Sequence, residues 1–330
     1  MAGSGAKIVV SAILGNGFIT TIKFIGWFFS QSPSLLAEAI HSVADTSNQI
    51  LLLIGMKQSQ KHVSREHPHG QGEARYLWNL ISAVGIFFLG FGVTAFHGLH
   101  ALLSGHYEVG GVSWVAIGVL IIALLIEGYV LIQAYREVES MREEKGYLHF
   151  LKDCDDPTII AILLEDGVAV LGVLLALTGI ILGQVFQSAL FDIGASLLIS
   201  LLLGLMAVLL AFINGKLLIG KSVNFHDEKE IYNFIQSLGE VKSIEALSTQ
   251  ILGAGQVRLS LEVVFDAHLL MDLESLERDA KLIEKGEQAI KVLAKASERM
   301  VRLTGQKINH LESLIQKKYP EIVYIDLEVY

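Results

Sequence analysis

Pro33-Ser34-Leu35-Leu36-Ala37-Glu38-Ala39-Ile40-His41-Ser42-Val43-Ala44-Asp45 opens a run that continues through apolar residues to Met56. Glu38, His41 and Asp45 recur at the three- and four-residue spacing of a helix, so they share one face. The run is long and apolar enough to cross a membrane. There, an acidic side chain at the centre costs about 3 kcal/mol even on the most lenient scale. Three ionisable groups facing one way inside lipid are therefore groups in use. Imidazole and carboxylate together suit a borderline divalent metal such as zinc. At i and i+4, His41 and Asp45 can both reach one ion beside the helix. The blander alternative pairs them with each other, or with Lys23 across helices. The leading expectation is a membrane protein that passes metal ions between its helices, with Asn48 and Gln49 extending the polar stripe along the path.

The chain around this segment fits that reading. It has 330 residues, of which 52% are hydrophobic, and a mean hydropathy of +0.52. The apolar residues gather before about residue 220. Six stretches are long enough to span a bilayer: 8–29, 34–56, 76–103, 112–134, 158–183 and 189–213. The first reads as a retained helix rather than a signal peptide. Lys7, Lys57, Lys61, Arg65, Arg75, Arg136, Arg142, Lys145, Lys152, Lys216 and Lys221 flank the helix ends on one side, whereas 30–34, 104–111 and 183–188 hold no lysine or arginine. The positive-inside rule then predicts two cytosolic termini.

Charge and motifs exclude other classes. A net charge of -9 argues against nucleic acid. Cys154 is the single cysteine, which leaves no disulfide within the chain and no multi-thiolate metal site. There is no G-x-x-x-x-G-K-[ST] loop, so an ion gradient is the natural energy source, and no H-E-x-x-H motif supports a metalloenzyme. No catalytic residues and no cofactor beyond a transported divalent metal are expected.

Past Lys221 the composition becomes polar. Residues 227–238 read as a short helix, and 243–250 and 256–266 as two strands around Gly253-Ala254-Gly255. Residues 271–318 read as helix broken near Gly286, and 322–330 as a closing strand. The predicted fold is an all-α six-helix transmembrane domain over 1–221, followed by an α+β cytosolic domain over 222–330 with a long helical insert.

Further candidates lie in the other apolar stretches. Glu165 and Asp166 sit inside the fifth. Neighbouring helical residues point about 100° apart, so the two do not face one site equally. Glu165 shares a face with Ala161, Ala169, Gly172 and Ala176, where another membrane helix would pack closely. At least one of the pair is read as a metal ligand, against the alternative of a protonated carboxyl bonded to a neighbouring helix. Glu127 is a ligand, a proton carrier or a partner for Lys23. Asn16 is read as a packing amide. His67, in His67-Pro68-His69-Gly70-Gln71-Gly72-Glu73-Ala74-Arg75, is either part of an ion-holding loop or of a solvated turn. Asp153, Asp155 and Asp156 before Pro157 are read as helix-start chemistry. His97, His100 and His106 are read as scattered interfacial histidines.

Leu-Leu-Ala-Glu-Ala-Ile-His-Ser-Val-Ala-Asp at 35–45 resembles the second-helix signature of the cation diffusion facilitators, with the metal-binding His and Asp at His41 and Asp45. The loop from His67 to Arg75 is similar to that family's loop between helices two and three. Asp156-Pro-Thr, Leu-Leu-Glu-Asp-Gly at 163–167, Ile-Glu-Gly at 126–128 and the ending from Tyr319 resemble the branch of zinc transporter nine and its bacterial relatives. The resemblance implies export of a divalent metal from the cytosol by proton antiport, as a homodimer. It also implies a metallochaperone-like αββα cytosolic domain. Zinc is the first expectation, with manganese, iron, cobalt and cadmium open; a bacterial host would place the chain in its plasma membrane. A passive channel and a metal-sensing scaffold are the alternatives.

Three positions depart from the family pattern. Ile162 stands where the fifth helix has a His or Asp four residues before the key Asp166, so Glu165, Glu127 or water takes the fourth ligand position. Gln71 stands where many members have a second histidine. The last strand lacks the histidine that holds regulatory zinc in some members. His41, Asp45 and Asp166, with Glu165 as the fourth candidate, form the expected metal site.

Overall fold

The structure is a computed structural model that describes residues 2–61, 63–104, 114–141, 157–266 and 273–330. It divides into two compact units, Met1–Ile219 and Gly220–Tyr330.

The first unit is helical. Its helices are α1 (Ala2–Ser30), α2 (Pro33–Ser59), α3 (Ala74–Gly85), α4 (Thr94–Ser104), α5 (Trp114–Met141), α6 (Pro157–Val185) and α7 (Leu190–Ile219). A π-helical stretch, Ile86–Val93, joins α3 to α4 without a break, so Ala74–Ser104 runs as one rod. Among the described residues, four helices are long and apolar enough to cross a membrane: Ala74–Ser104, Trp114–Arg136, Ile162–Val185 and Leu190–Ile219. Their outward residues are large and apolar, among them Phe88, Phe96, Leu125, Leu171, Leu205 and Phe212. Helices α1 and α2 are of similar length, 29 and 27 residues, and pack against each other and against this group.

The sequence sets the entry to α2 sharply. Ser32 accepts a hydrogen bond from the Leu35 amide as N-cap, and Pro33 occupies the first turn, where its missing N–H leaves no bond unmade. Asp192, in the first turn of α7, bonds the Ser34 hydroxyl and amide and so ties the start of α2 to the start of α7. From Ser34 to Ala39 every α2 side chain is buried. The core of the unit gathers Leu35, Ala37 and Ala44 of α2 with Leu120, Val173, Ala176, Ile199 and Leu203.

The small-residue face of α6 meets α2. Ala169 and Ala176 are buried, and a Cβ built on Gly172 would collide with the Glu38 carboxylate. Only glycine lets a backbone approach this closely. Gly179 does the same for α7, where a Cβ would lie 2.5 Å from that of Ala195.

The second unit has the order α8 (Phe225–Gln236), β1 (Val241–Gly253), β2 (Gln256–Phe265), α9 (Leu273–Glu284), α10 (Ala289–Lys318), β3 (Ile322–Val329). The sheet order is β1-β2-β3, with β1 antiparallel and β3 parallel to β2. Central β2 alternates strictly, with Val257, Leu259, Leu261, Val263 and Phe265 buried. These residues pack on Ile231 and Ile235 of α8 and on Leu311 and Ile315 of α10. Gly255 turns the hairpin at φ 63°, and Gly286 separates α9 from α10 at φ 95°. Among the described residues the order is αββααβ, with two helices in the insert and β3 as the third strand of the sheet. Asp153, Cys154, Asp155, Asp156, His106 and His268 lie outside the described residues.

Candidate metal centre

Helix α2 carries two groups of ionisable side chains, one turn apart. The first is an ion-pair cluster. Lys23 of α1, with no exposed surface, places its Nζ 2.8 Å from Glu38 Oε2 and 2.7 Å from Glu127 Oε1 of α5. A lone ammonium buried among helices would be very costly, and two carboxylates on it offset that cost. Each carboxylate keeps one buried oxygen without a hydrogen bond, Glu38 Oε1 and Glu127 Oε2. Glu127 is therefore placed as a partner of Lys23, one of the three roles its sequence left open. Glu38, read from the sequence as part of the metal stripe, turns to the same lysine.

The second group begins three residues later. His41 is 1% exposed, and neither of its ring nitrogens makes a hydrogen bond. Its Nε2 lies 3.4 Å from Asp45 Oδ2, without hydrogen-bond alignment, and Asp45 Oδ1 has no partner either. Buried polar groups are almost always satisfied, so three unmet atoms together call for an occupant. The separation is informative. Zinc bonds to nitrogen and oxygen run about 2.0–2.2 Å, and a tetrahedral angle between two of them sets the donor atoms about 3.4 Å apart. His41 and Asp45 already stand at the edge length of a tetrahedral site.

Helix α6 supplies two more carboxylates close by. Asp166 has a buried oxygen, Oδ2, without a partner. Glu165 instead accepts a 2.7 Å hydrogen bond from Asn48 Nδ2 of α2, one turn beyond Asp45. Among the described residues, however, no three His, Cys, Asp or Glu side chains close around one point. His41 and Asp45 form a pair on α2, Asp166 has one unbonded oxygen on α6, which packs against α2, and Glu165 is bonded to Asn48.

The loop residues stand apart. His67 is exposed, and its backbone makes a turn with Ser64 and Gly70. Gln71 and Arg75 each have one buried, unbonded atom. Burial pushes the Glu73 carboxyl above its ordinary range. His97 and His100 lie on α4, with the His100 ring stacked on Phe96. Sequence reasoning missed the Lys23–Glu38 pair, although a lysine inside an apolar helix is itself a signal that a buried acid must answer it. It also missed Asn79 and Asn214, which line a cavity with Glu165.

Long apolar helices with buried ion pairs and a His–Asp pair between them are the features of a membrane protein with a polar interior. The family profile described as the cation efflux transmembrane domain matches residues 9–219, and the chain belongs to that family of transporters, which is not an enzyme family. It is an integral membrane protein. It is 32% identical over 332 residues to the "Proton-coupled zinc antiporter SLC30A9, mitochondrial" of Mus musculus, covering 98% of this chain and 58% of the relative. It is 29% identical over 337 residues to "Metal tolerance protein C4" of Arabidopsis thaliana, covering 98% and 73%. The "Manganese efflux system protein MneS" of Bacillus subtilis matches at 27% over 128 residues, covering 38% and 43%. The chain thus spans less than two thirds of the length of the zinc antiporters it matches.

Proposed function

We propose that this chain is a secondary transporter that moves a divalent transition metal, zinc first among candidates, across a membrane in exchange for protons. The observation that carries the reading is the His41–Asp45 pair, a buried imidazole and a half-buried carboxylate 3.4 Å apart with no hydrogen bond between them, in a chain of the cation efflux family. His41 and Asp45 bind the ion, Asp166 is the third ligand, and Glu165 is the weaker candidate for the fourth. Metal and proton compete for the same donor atoms, so one or more of these groups carries the returning proton. The zinc antiporters and the manganese efflux protein among its relatives support metal transport and leave the cargo to measurement.

In this reading α1 and α2 join the four more apolar helices as a six-helix transmembrane domain over 1–221. Residues 222–330 form a cytosolic domain that dimerises, and both termini are cytosolic. Lysine and arginine cluster at one set of helix ends, which supports that orientation. The exposed Ile290, Leu293 and Val301 of α10 offer apolar surface to a second copy.

The test is a flux panel in proteoliposomes holding the purified protein, with zinc, manganese, cobalt and cadmium, with and without a pH gradient. Uphill zinc movement driven by the gradient is expected. Movement that only follows the metal's own gradient would make the protein a passive channel; no movement at all would leave a metal-sensing scaffold. Orientation is checked separately in a Cys154→Ser background. Gln187→Cys should label from outside intact cells and Lys242→Cys should not; the reverse pattern overturns the cytosolic placement.

A further inference from the structure

A second cavity-like feature lies beyond Asp45 on α2. It has a volume of about 30 Å³ and is lined by Asn48, Leu52, Asn79, Ile162, Glu165, Leu210 and Asn214. Four helices meet there: α2, α3, α6 and α7. That is room for about two water-sized occupants. Three carboxamides and one carboxylate around so small a space, between membrane helices, are far more polar than helix packing needs.

The amides are oriented by their partners. Asn48 Nδ2 donates to a carboxylate, Glu165 Oε1, at 2.7 Å, and Asn214 Nδ2 donates to the Leu210 carbonyl at 2.9 Å. Both acceptors require the NH₂ end of the amide, so the carbonyl oxygen of each asparagine is left over. Asn214 is only 4% exposed and lines the cavity. Asn79 adds a third amide and makes no side-chain hydrogen bond among the described residues. The donor set is therefore oxygen only, with no imidazole and no sulfur, and such sets suit hard divalent cations that keep part of their water.

We propose that this cavity is a second cation site, where a divalent cation rests with some of its water before it reaches His41 and Asp45. Amide oxygens of Asn48, Asn79 and Asn214 replace part of the hydration shell, and the carboxylate of Glu165 supplies charge. The shared residue Glu165 and the placement of Asn48 one turn from Asp45 make the two sites consecutive along α2. The order of passage rests on the transport reading above; the existence of the site does not.

The experiment uses Mn²⁺ alone as probe, on the full-length protein, by the loss of its free-ion resonance on binding. Asp45→Ala protein should still bind Mn²⁺ at a weak site. Adding Asn79→Leu, or Asn214→Leu, to that background should weaken it roughly tenfold or more, the scale expected when a metal loses one supporting group. Asn79→Asp should instead tighten it. Because Asn79 holds no hydrogen bond, its replacement removes none from the fold, and a monodisperse Asn79→Leu protein gives a valid reading. Loss of all Mn²⁺ binding in Asp45→Ala, or retention of it through both asparagine substitutions, overturns the site. In flux assays Asn79→Leu alone should raise the half-saturating metal concentration more than it lowers the maximal rate. If Asp45→Ala still transports, Asp45 leaves the proposed transport site, while the binding arm still decides this one.

Discussion

Glu38 and His41 stand three residues apart on one helix, equally buried, and meet opposite company. Glu38 is held by an ammonium that serves two carboxylates at once, Lys23 against Glu38 and Glu127. His41 and Asp45 face each other at 3.4 Å without a hydrogen bond, and neither has an opposite charge of the chain bonded to it. Inside lipid both states are costly unless compensated. The first group has its compensation built into the chain. The second lacks it, and a bound cation is what would supply it. A charge with an opposite charge built in beside it reads as architecture; one arranged without such a partner is a candidate binding site.

The comparison breaks most visibly at the unsatisfied group. Asp45→Ala or Asp166→Ala should cut metal flux in proteoliposomes by more than roughly 100-fold, beyond the range seen for groups that only support ligands. The folded protein should remain intact, because neither side chain holds a hydrogen bond that the fold needs. Wild-type flux from either variant removes that residue from the mechanism.

The satisfied group should behave in the opposite way. Lys23→Met leaves two buried carboxylates facing each other, and breaking a buried pair from one side costs about 3–5 kcal/mol. Thermal unfolding in detergent should fall sharply. Replacing the whole set with Lys23→Met, Glu38→Gln and Glu127→Gln should restore most of the loss. A Lys23→Met protein as stable as wild type would erase the distinction drawn between the two groups.

Smaller effects sharpen it further. Lowering pH on the loading side should raise the half-saturating metal concentration, because protons occupy His41 and the carboxylates that the metal requires. A pH-independent half-saturation would separate proton coupling from these residues. Glu165→His exchanges an oxygen donor for nitrogen and should shift preference several-fold from manganese toward zinc. If that variant and Glu165→Ala both keep the wild-type profile, the Asn48–Glu165 bond is helix packing only. Least of all, His226→Ala should leave zinc flux unchanged, since His226 is 74% exposed and lies in the second unit. A measurable change there would extend the metal pathway into that unit.

How much of this was readable beforehand depends on whether a feature is local. The α2 stripe was legible because helical spacing alone puts Glu38, His41 and Asp45 on one face. The hairpin at Gly255 and the break at Gly286 were legible because turn chemistry is local. What was not legible is register between helices. Nothing in the local pattern aligns Lys23 of α1 with Glu38 rather than with His41, or brings Asn79 and Asn214 to the same cavity. Those depend on close approaches such as Gly172 against the Glu38 carboxylate, which tertiary packing sets. The π-helical stretch at Ile86–Val93 also went unforeseen, because an apolar run has no period that distinguishes it from an α-helix.

Lys23 also has an electrical meaning. A charge moved across a membrane does about 2.3 kcal/mol of work per elementary charge for every 100 mV, so a bare dication would do about twice that. One ammonium, that of Lys23, serves two carboxylates close to the His41–Asp45 pair on α2. These charges do not travel with the ion, yet they set the net charge of the region in which it pauses. The membrane voltage does work only on the charge that moves, and what Lys23 and its two carboxylates set is the local potential at the place where the ion pauses.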